Sequence, residues 1–181
     1  MVQRMKWVLL LLALGASSGS QASNYLIEIL VFARDDPGAS EYLPPDPGLP
    51  DYSGTATPGE VGQMLDPAQG QLGPERHTLT RSGAGQPLFH GLWRQPVGSR
   101  NNPRKVRITS SEQRDGLPQV EGVVAIGRGR FLHLHLDLLT RPLQGSSGQP
   151  TYRLIAQRRM GSNELHYIDH PKVGVLVRIR P

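Results

Sequence analysis

The sequence of 181 residues contains no cysteine. Disulfides and cysteine-based metal sites are therefore excluded, and so is the lipid-modified cysteine that anchors a bacterial lipoprotein. No apolar run reaches the ~20 residues that a membrane-spanning helix needs, so we expect no stable membrane insertion. Burial and hydrogen bonding alone must hold the fold together.

The amino-terminal residues have the three parts of a secretory signal. Arg4 and Lys6 give a positive start, residues 7–14 form an apolar run, and Ser20-Gln21-Ala22 fits a small-x-small cleavage site. This pattern predicts a signal peptide over residues 1–22 and a single periplasmic domain over residues 23–181.

Basic residues are nearly absent from the first part of the predicted domain. Residues 23–75 hold nine acids and one base, Arg34, whereas residues 76–181 hold seventeen bases and six acids. A basic, arginine-rich region is compatible with nucleic-acid binding, but export argues against that partner. The anions available in a periplasm are wall-peptide carboxylates, lipopolysaccharide phosphates and other proteins, and the arginine fork fits carboxylates and phosphates well. The other interpretation is that the acidic segment packs near the basic region and neutralises it.

Alternation of apolar and polar residues predicts a mostly β, antiparallel domain with little helix. Residues 25–33 read as a buried strand in which only Glu28 is charged, and residues 132–138 place leucine at every second position. The pattern predicts six or seven strands at 25–33, 86–97, 105–109, 151–159, 173–179 and within 120–140, where 127–130 is a hairpin turn or a bulge. Trp93 and Phe89 are expected in the core, and residues 75–81 in a short helical turn.

Residues 35–74 are rich in proline, glycine and aspartate and poor in apolar residues. This composition favours a flexible insertion with little regular structure.

A histidine-rich strand raises the possibility of metal chemistry. His133, His135 and Asp137 share one strand face, and His166 and His170 follow later. Histidine and carboxylate are zinc ligands, so a metal-dependent periplasmic hydrolase is the alternative hypothesis. The hydrolase pattern His-x-His-x-Asp-His is incomplete because Leu138 stands in its last position.

The densest polar cluster, residues 157–171, precedes the last predicted strand. One interpretation is a recognition surface, because arginine pairs with carboxylates and tyrosine covers a sugar face or anchors an interface. The other is an internal network in which Arg158 or Arg159 pairs with Glu164 or Asp169 and fixes the connection between the last two strands. The candidate binding residues are Arg130, His133, Arg158, Arg159, Glu164, His166, Tyr167, Asp169 and His170.

The order of these segments resembles the CsiV family of periplasmic peptidoglycan-binding proteins. The matching pieces are YLIEILVF at 25–32, LFHGLWRQP at 88–96, GRFLHLHLDL at 129–138, RRM at 158–160, ELHYIDHP at 164–171 and GVLV at 174–177. The resemblance implies binding to peptidoglycan and support of a class A penicillin-binding protein through its outer-membrane lipoprotein activator. It implies neither catalysis nor a cofactor.

Overall fold

The computed structural model describes residues 23–34, 48–141 and 151–181. The predicted signal peptide and residues 35–47 of the predicted insertion lie outside this part of the chain.

The described residues form twelve strands, two α-helices and one 3-10 helix. The strands are β1 (Asn24–Ala33), β2 (Gln63–Leu65), β3 (Gln86–Pro96), β4 (Gly98–Ser99), β5 (Arg104–Thr109), β6 (Gln113–Arg114), β7 (Leu117–Pro118), β8 (Val120–Arg128), β9 (Leu132–Thr140), β10 (Tyr152–Met160), β11 (Leu165–His170) and β12 (Val173–Arg180). The helices are α1 (Pro58–Val61), the 3-10 helix Pro67–Gln69 and α2 (Gly73–Ser82).

The strands form two five-stranded sheets and a small ribbon. The first sheet has the order β11-β12-β1-β3-β2, and the second has the order β10-β9-β8-β4 with β5 also paired to β8. Every strand pair is antiparallel except β4 with β8. The predicted fold class, mostly β and antiparallel, is confirmed.

One hydrophobic core lies between the two sheets. Alternate residues of β1 and β12 from the first sheet join the leucines of β9 from the second sheet in a single buried cluster, which also contains Trp93. Phe89 is half-buried and packs against this cluster. Burying a Leu or Ile side chain contributes ~1.5–3 kcal/mol, so the period-two pattern determines which face of each strand turns inward.

The segment between β8 and β9 is a hairpin turn, one of the two alternatives for residues 127–130. Arg128 pairs with Leu132, and the amide of Gly129 donates to the carbonyl of Phe131 at 3.0 Å. The three residues of the loop are all exposed.

Residues 48–74 contain more regular structure than we expected for the insertion. Thr57-Pro58 and Asp66-Pro67 begin α1 and the 3-10 helix: the Thr57 amide donates to Glu60 at 2.6 Å, and Asp66 accepts from the Ala68 amide at 2.9 Å. Proline is favourable at the first position of a helix, where its missing N–H has no intrahelical partner. The same residues that indicated irregular structure therefore act here as helix starts.

The polar segment expected to connect the last two strands is itself a strand, β11. It pairs with β12 along its whole length, from Leu165 opposite Arg178 to His170 opposite Val173. The strand lies at the edge of the first sheet, where only Ile168 is buried. An edge strand carries polar residues on both faces, so its pattern does not stand out in the sequence.

A buried carboxylate, that of Glu28, holds the segment before α2 against the first sheet. Glu28 is 1% exposed and accepts hydrogen bonds from the amides of Gln71 (2.7 Å) and Leu72 (2.9 Å) and from Nε2 of His90 (2.9 Å). These amides directly precede α2, and Leu72 packs with Leu30 and Phe32 in a second cluster. Burial alone raises the pKa of Glu28, but the three hydrogen bonds together bring it below its ordinary value. Gly70 lies so close to this carboxylate that a Cβ atom there would overlap it.

We expect Glu28→Gln to lower the free energy of unfolding by about 1–3 kcal/mol, because a neutral amide leaves a buried donor or acceptor unsatisfied. Urea denaturation followed by the fluorescence of buried Trp93 measures the loss. Because the folded-state pKa of Glu28 is lowered, its stabilisation is complete above the unfolded-state value of about 4.3 and is lost as the pH falls through the folded-state value. The difference between the two proteins should therefore shrink below about pH 4.

Glu112→Gln is the matched control, since that side chain is exposed. Equal destabilisation by both substitutions, or a difference that does not change with pH, would contradict the role given to Glu28.

Candidate functional site

The outer face of the second sheet carries the polar residues of β9. While the leucines of this strand are buried, His133, His135 and Asp137 are half-buried and point away from the core. Across the sheet, His133 lies between Gly127 and Arg159. Each of the three polar residues thus lies at the centre of a row that crosses β8, β9 and β10.

At one end of this face the acids are already paired within the protein. Arg153 donates to both oxygens of Asp137 at 2.7 and 2.8 Å. Glu121 accepts from Arg141 at 2.9 Å and from the hydroxyl of Tyr52 at 3.1 Å. Burial, together with the charge and hydrogen bond of Glu121, raises the pKa of Tyr52 to about 12. This end is therefore a satisfied network that holds the segment around Tyr52 on the sheet.

The other end carries positive charge and an aromatic ring, and we call it the cationic strip: Arg100, Arg130, Phe131, His133 and Arg159. The Arg159 guanidinium lies 4.6 Å from the centroid of the Phe131 ring, and that of Arg130 lies 5.6 Å away. Phe131 is 37% exposed. Cation–π contacts hold the two arginines at the ring and leave their N–H groups available to a ligand.

The charges that act on His133 are positive. Partial burial and then the charges of Arg100, His135 and Arg159 lower its pKa. Within the described residues, none of the three arginines of the cationic strip forms an ion pair with a carboxylate. The strip is thus a positive surface that the described chain does not neutralise.

Three of the candidate binding residues, Arg130, His133 and Arg159, come together in this strip. Arg158 is also exposed, but it points to the opposite side of β10, where it pairs across from Leu134.

The remaining candidates belong to the other sheet and to the turn that leads to it. Glu164 accepts from the Gly161 amide at 3.0 Å and contacts Nε2 of His166 at 3.2 Å. The ring of His170 lies 6.4 Å from that of Tyr152. None of these groups reaches the cationic strip by a described contact.

Tyr167 and Asp169 lie on the outer face of the first sheet. The Tyr167 hydroxyl donates to Asp169 at 2.6 Å, Arg34 forms an ion pair with the same carboxylate, and the Tyr167 ring stacks on Phe32. Hydrogen bonding from Tyr167, with a smaller effect of the Arg34 charge, lowers the pKa of Asp169 despite partial burial. The polar cluster is therefore divided between surfaces, and its acids pair with His166 and Arg34, not with Arg158 or Arg159 as the internal-network interpretation expected.

The ligand set of the alternative metal hydrolase is not brought together. Asp137 is held by Arg153, and His166 and His170 lie in the other sheet. In the part of the chain that the structure describes, no three His, Asp or Glu side chains are placed to hold a metal ion.

Two residues of the strip, Arg100 and Phe131, were not among the sequence candidates. Phe131 occupies a three-residue hairpin loop, and a bulky aromatic residue in so short a loop is a usable signal of exposure. Arg100 follows the two-residue strand β4, whose parallel pairing with β8 brings it to the strip. No local sequence pattern predicts that pairing.

A family model described as "Peptidoglycan-binding protein, CsiV" matches residues 59–181. The chain belongs to the CsiV family. The match includes the whole cationic strip, and it excludes β1. No curated protein and no solved structure matches this chain.

Membership of the family associates the chain with peptidoglycan and hence with the cell envelope. None of the described helices is long and apolar enough to cross a membrane.

We expect Arg159→Gln to raise the pKa of His133, because it removes one of the positive charges that disfavour protonation of the ring. NMR titration of the His133 ring measures this. Arg94→Gln, which removes an exposed arginine of the first sheet, is the control and should leave the titration unchanged. An unchanged His133 pKa in the Arg159 variant would mean that the two side chains are not neighbours in solution.

Proposed function

We propose that this protein is a non-catalytic peptidoglycan-binding protein of the periplasm, exported by residues 1–22, and that the cationic strip contacts the wall. The observation that carries the proposal is a group of three arginines that have no carboxylate partner among the described residues. Two of them, Arg130 and Arg159, contact the exposed ring of Phe131. Membership of the CsiV family supports the choice of peptidoglycan as the ligand.

The strip has the chemistry that an anionic polymer requires. A guanidinium group presents five N–H donors in a planar fork that matches a carboxylate, and it stays charged at any physiological pH. The Phe131 ring adds an apolar surface against which a sugar face or an alkyl chain can pack.

Replacement of Arg100 and Arg159 by glutamine should reduce binding to purified sacculi about tenfold or more. A charge-assisted hydrogen bond contributes about 1.5 kcal/mol or more, and 1.4 kcal/mol corresponds to a tenfold change in affinity. Co-sedimentation with sacculi at several protein concentrations measures the affinity, and urea denaturation verifies that the variant is folded.

The control is the double variant Arg94→Gln and Arg158→Gln, which loses the same charge from other surfaces. Arg158 is the neighbour of Arg159 in sequence but points to the other side of β10. Its replacement therefore removes the same charge without removing a side chain of the cationic strip. If the control loses as much binding as the test variant, general electrostatic attraction explains the binding and the strip does not.

The second part of the proposal concerns the protein partner. The resemblance to the CsiV family supports a role in activating a class A penicillin-binding protein through its outer-membrane lipoprotein activator. With purified components, we expect the protein to bind the activator and to speed glycan-chain synthesis only when the activator is present. Equal stimulation of the synthase without the activator would refute this route.

A further inference from the structure

We propose that the cationic strip binds the carboxylates of the wall's stem peptides and not the hydroxyls of the glycan. This inference rests on the proposed function, because it specifies which part of peptidoglycan the same strip contacts.

The donor and acceptor balance of the strip supports this assignment. Arginine side chains only donate hydrogen bonds, whereas a sugar hydroxyl both donates and accepts, so a site that orients sugars needs acceptors as well. Arg100, Arg130 and Arg159 offer donors alone. Carboxylates accept only, which makes them the better complement.

The carboxylates that this face contains among the described residues are already used. Both oxygens of Asp137 bind Arg153, and Glu121 binds Arg141 and Tyr52. The outward-facing side chain beside His135 on β10 is Gln157, and it stands one row away from the strip. Among the described residues, the acids of this face are thus grouped at one end, where they are already paired. The arginines of the cationic strip, which have no carboxylate partner there, lie at the other end.

The arrangement of the arginines suits more than one carboxylate. Arg130 and Arg159 contact the same ring, and Arg100 acts electrostatically on His133 beside it. Carboxylate groups spaced along a short peptide can therefore each meet a guanidinium, while the aliphatic parts of the peptide pack on Phe131. A neutral glycan backbone offers no such charges.

Glycan chains that still carry their stem peptides, released from sacculi in soluble form, provide the test. Binding of fluorescently labelled protein is measured by anisotropy before and after an amidase removes the peptides, and after the peptide carboxylates are converted to amides. We expect both treatments to weaken binding at least tenfold. The Arg100→Gln, Arg159→Gln variant should bind the untreated chains as weakly as the normal protein binds the treated chains.

The possible outcomes distinguish the stem-peptide inference from the proposed function. Equal binding to stripped and untreated chains would overturn the stem-peptide inference and leave peptidoglycan binding intact. Loss of binding after stripping but not after amidation would also overturn it, because charge would then not be what the strip recognises. Absence of binding to untreated chains and to sacculi alike would overturn the proposed function itself. Stronger competition by lipopolysaccharide than by untreated chains would indicate that phosphate is the preferred anion and would reject the carboxylate assignment.

Discussion

The packing of two sheets against one core is the constraint on which the rest of the molecule depends. Four leucines of β9 are buried in that core, and the period of two along a strand then forces His133, His135 and Asp137 to the outside. A slip of one residue in the register would exchange the two sets and bury charge without partners, at a cost of several kcal/mol. The polar face is therefore not an independent feature of the sequence, because it is fixed by the burial of the leucines beside it.

The two outer faces of the sandwich differ because of where acids lie. On the first sheet, the buried Glu28 binds the amides that precede α2, and the helix with Leu72 covers Leu30 and Phe32. On the second sheet, Glu121 and Asp137 engage tyrosine and arginines at one end only. At the hairpin end of that sheet, no acid of the described residues pairs with the arginines.

The sequence predicted the strands that alternate clearly or are largely apolar, and it missed the very short strands and the polar edge strand. Burial of leucine and valine at every second position located β9 and β12, whereas β11 is an edge strand with polar residues on both faces and carries no such pattern. The helix starts at Thr57 and Asp66 were hidden because proline and aspartate are also the residues of irregular loops. In the cationic strip, the residue types of Arg130, His133 and Arg159 had made them candidates. Arg100 reaches the strip because β4 pairs with β8, and no local sequence pattern predicts that pairing.

The strip brings like charges together, and the proposed ligand would neutralise them. Like charges held close together oppose folding, and the pKa of His133 is lowered first by partial burial and then by the charges of Arg100, His135 and Arg159. The contacts of Arg130 and Arg159 with Phe131 offset part of the repulsion, and they involve an aromatic ring that is 37% exposed in the hairpin loop. Elsewhere on the same face each acid has an arginine partner, so the chain has the means to neutralise such charges. The proposed anionic ligand would supply carboxylates to the three arginines that have none in the described structure.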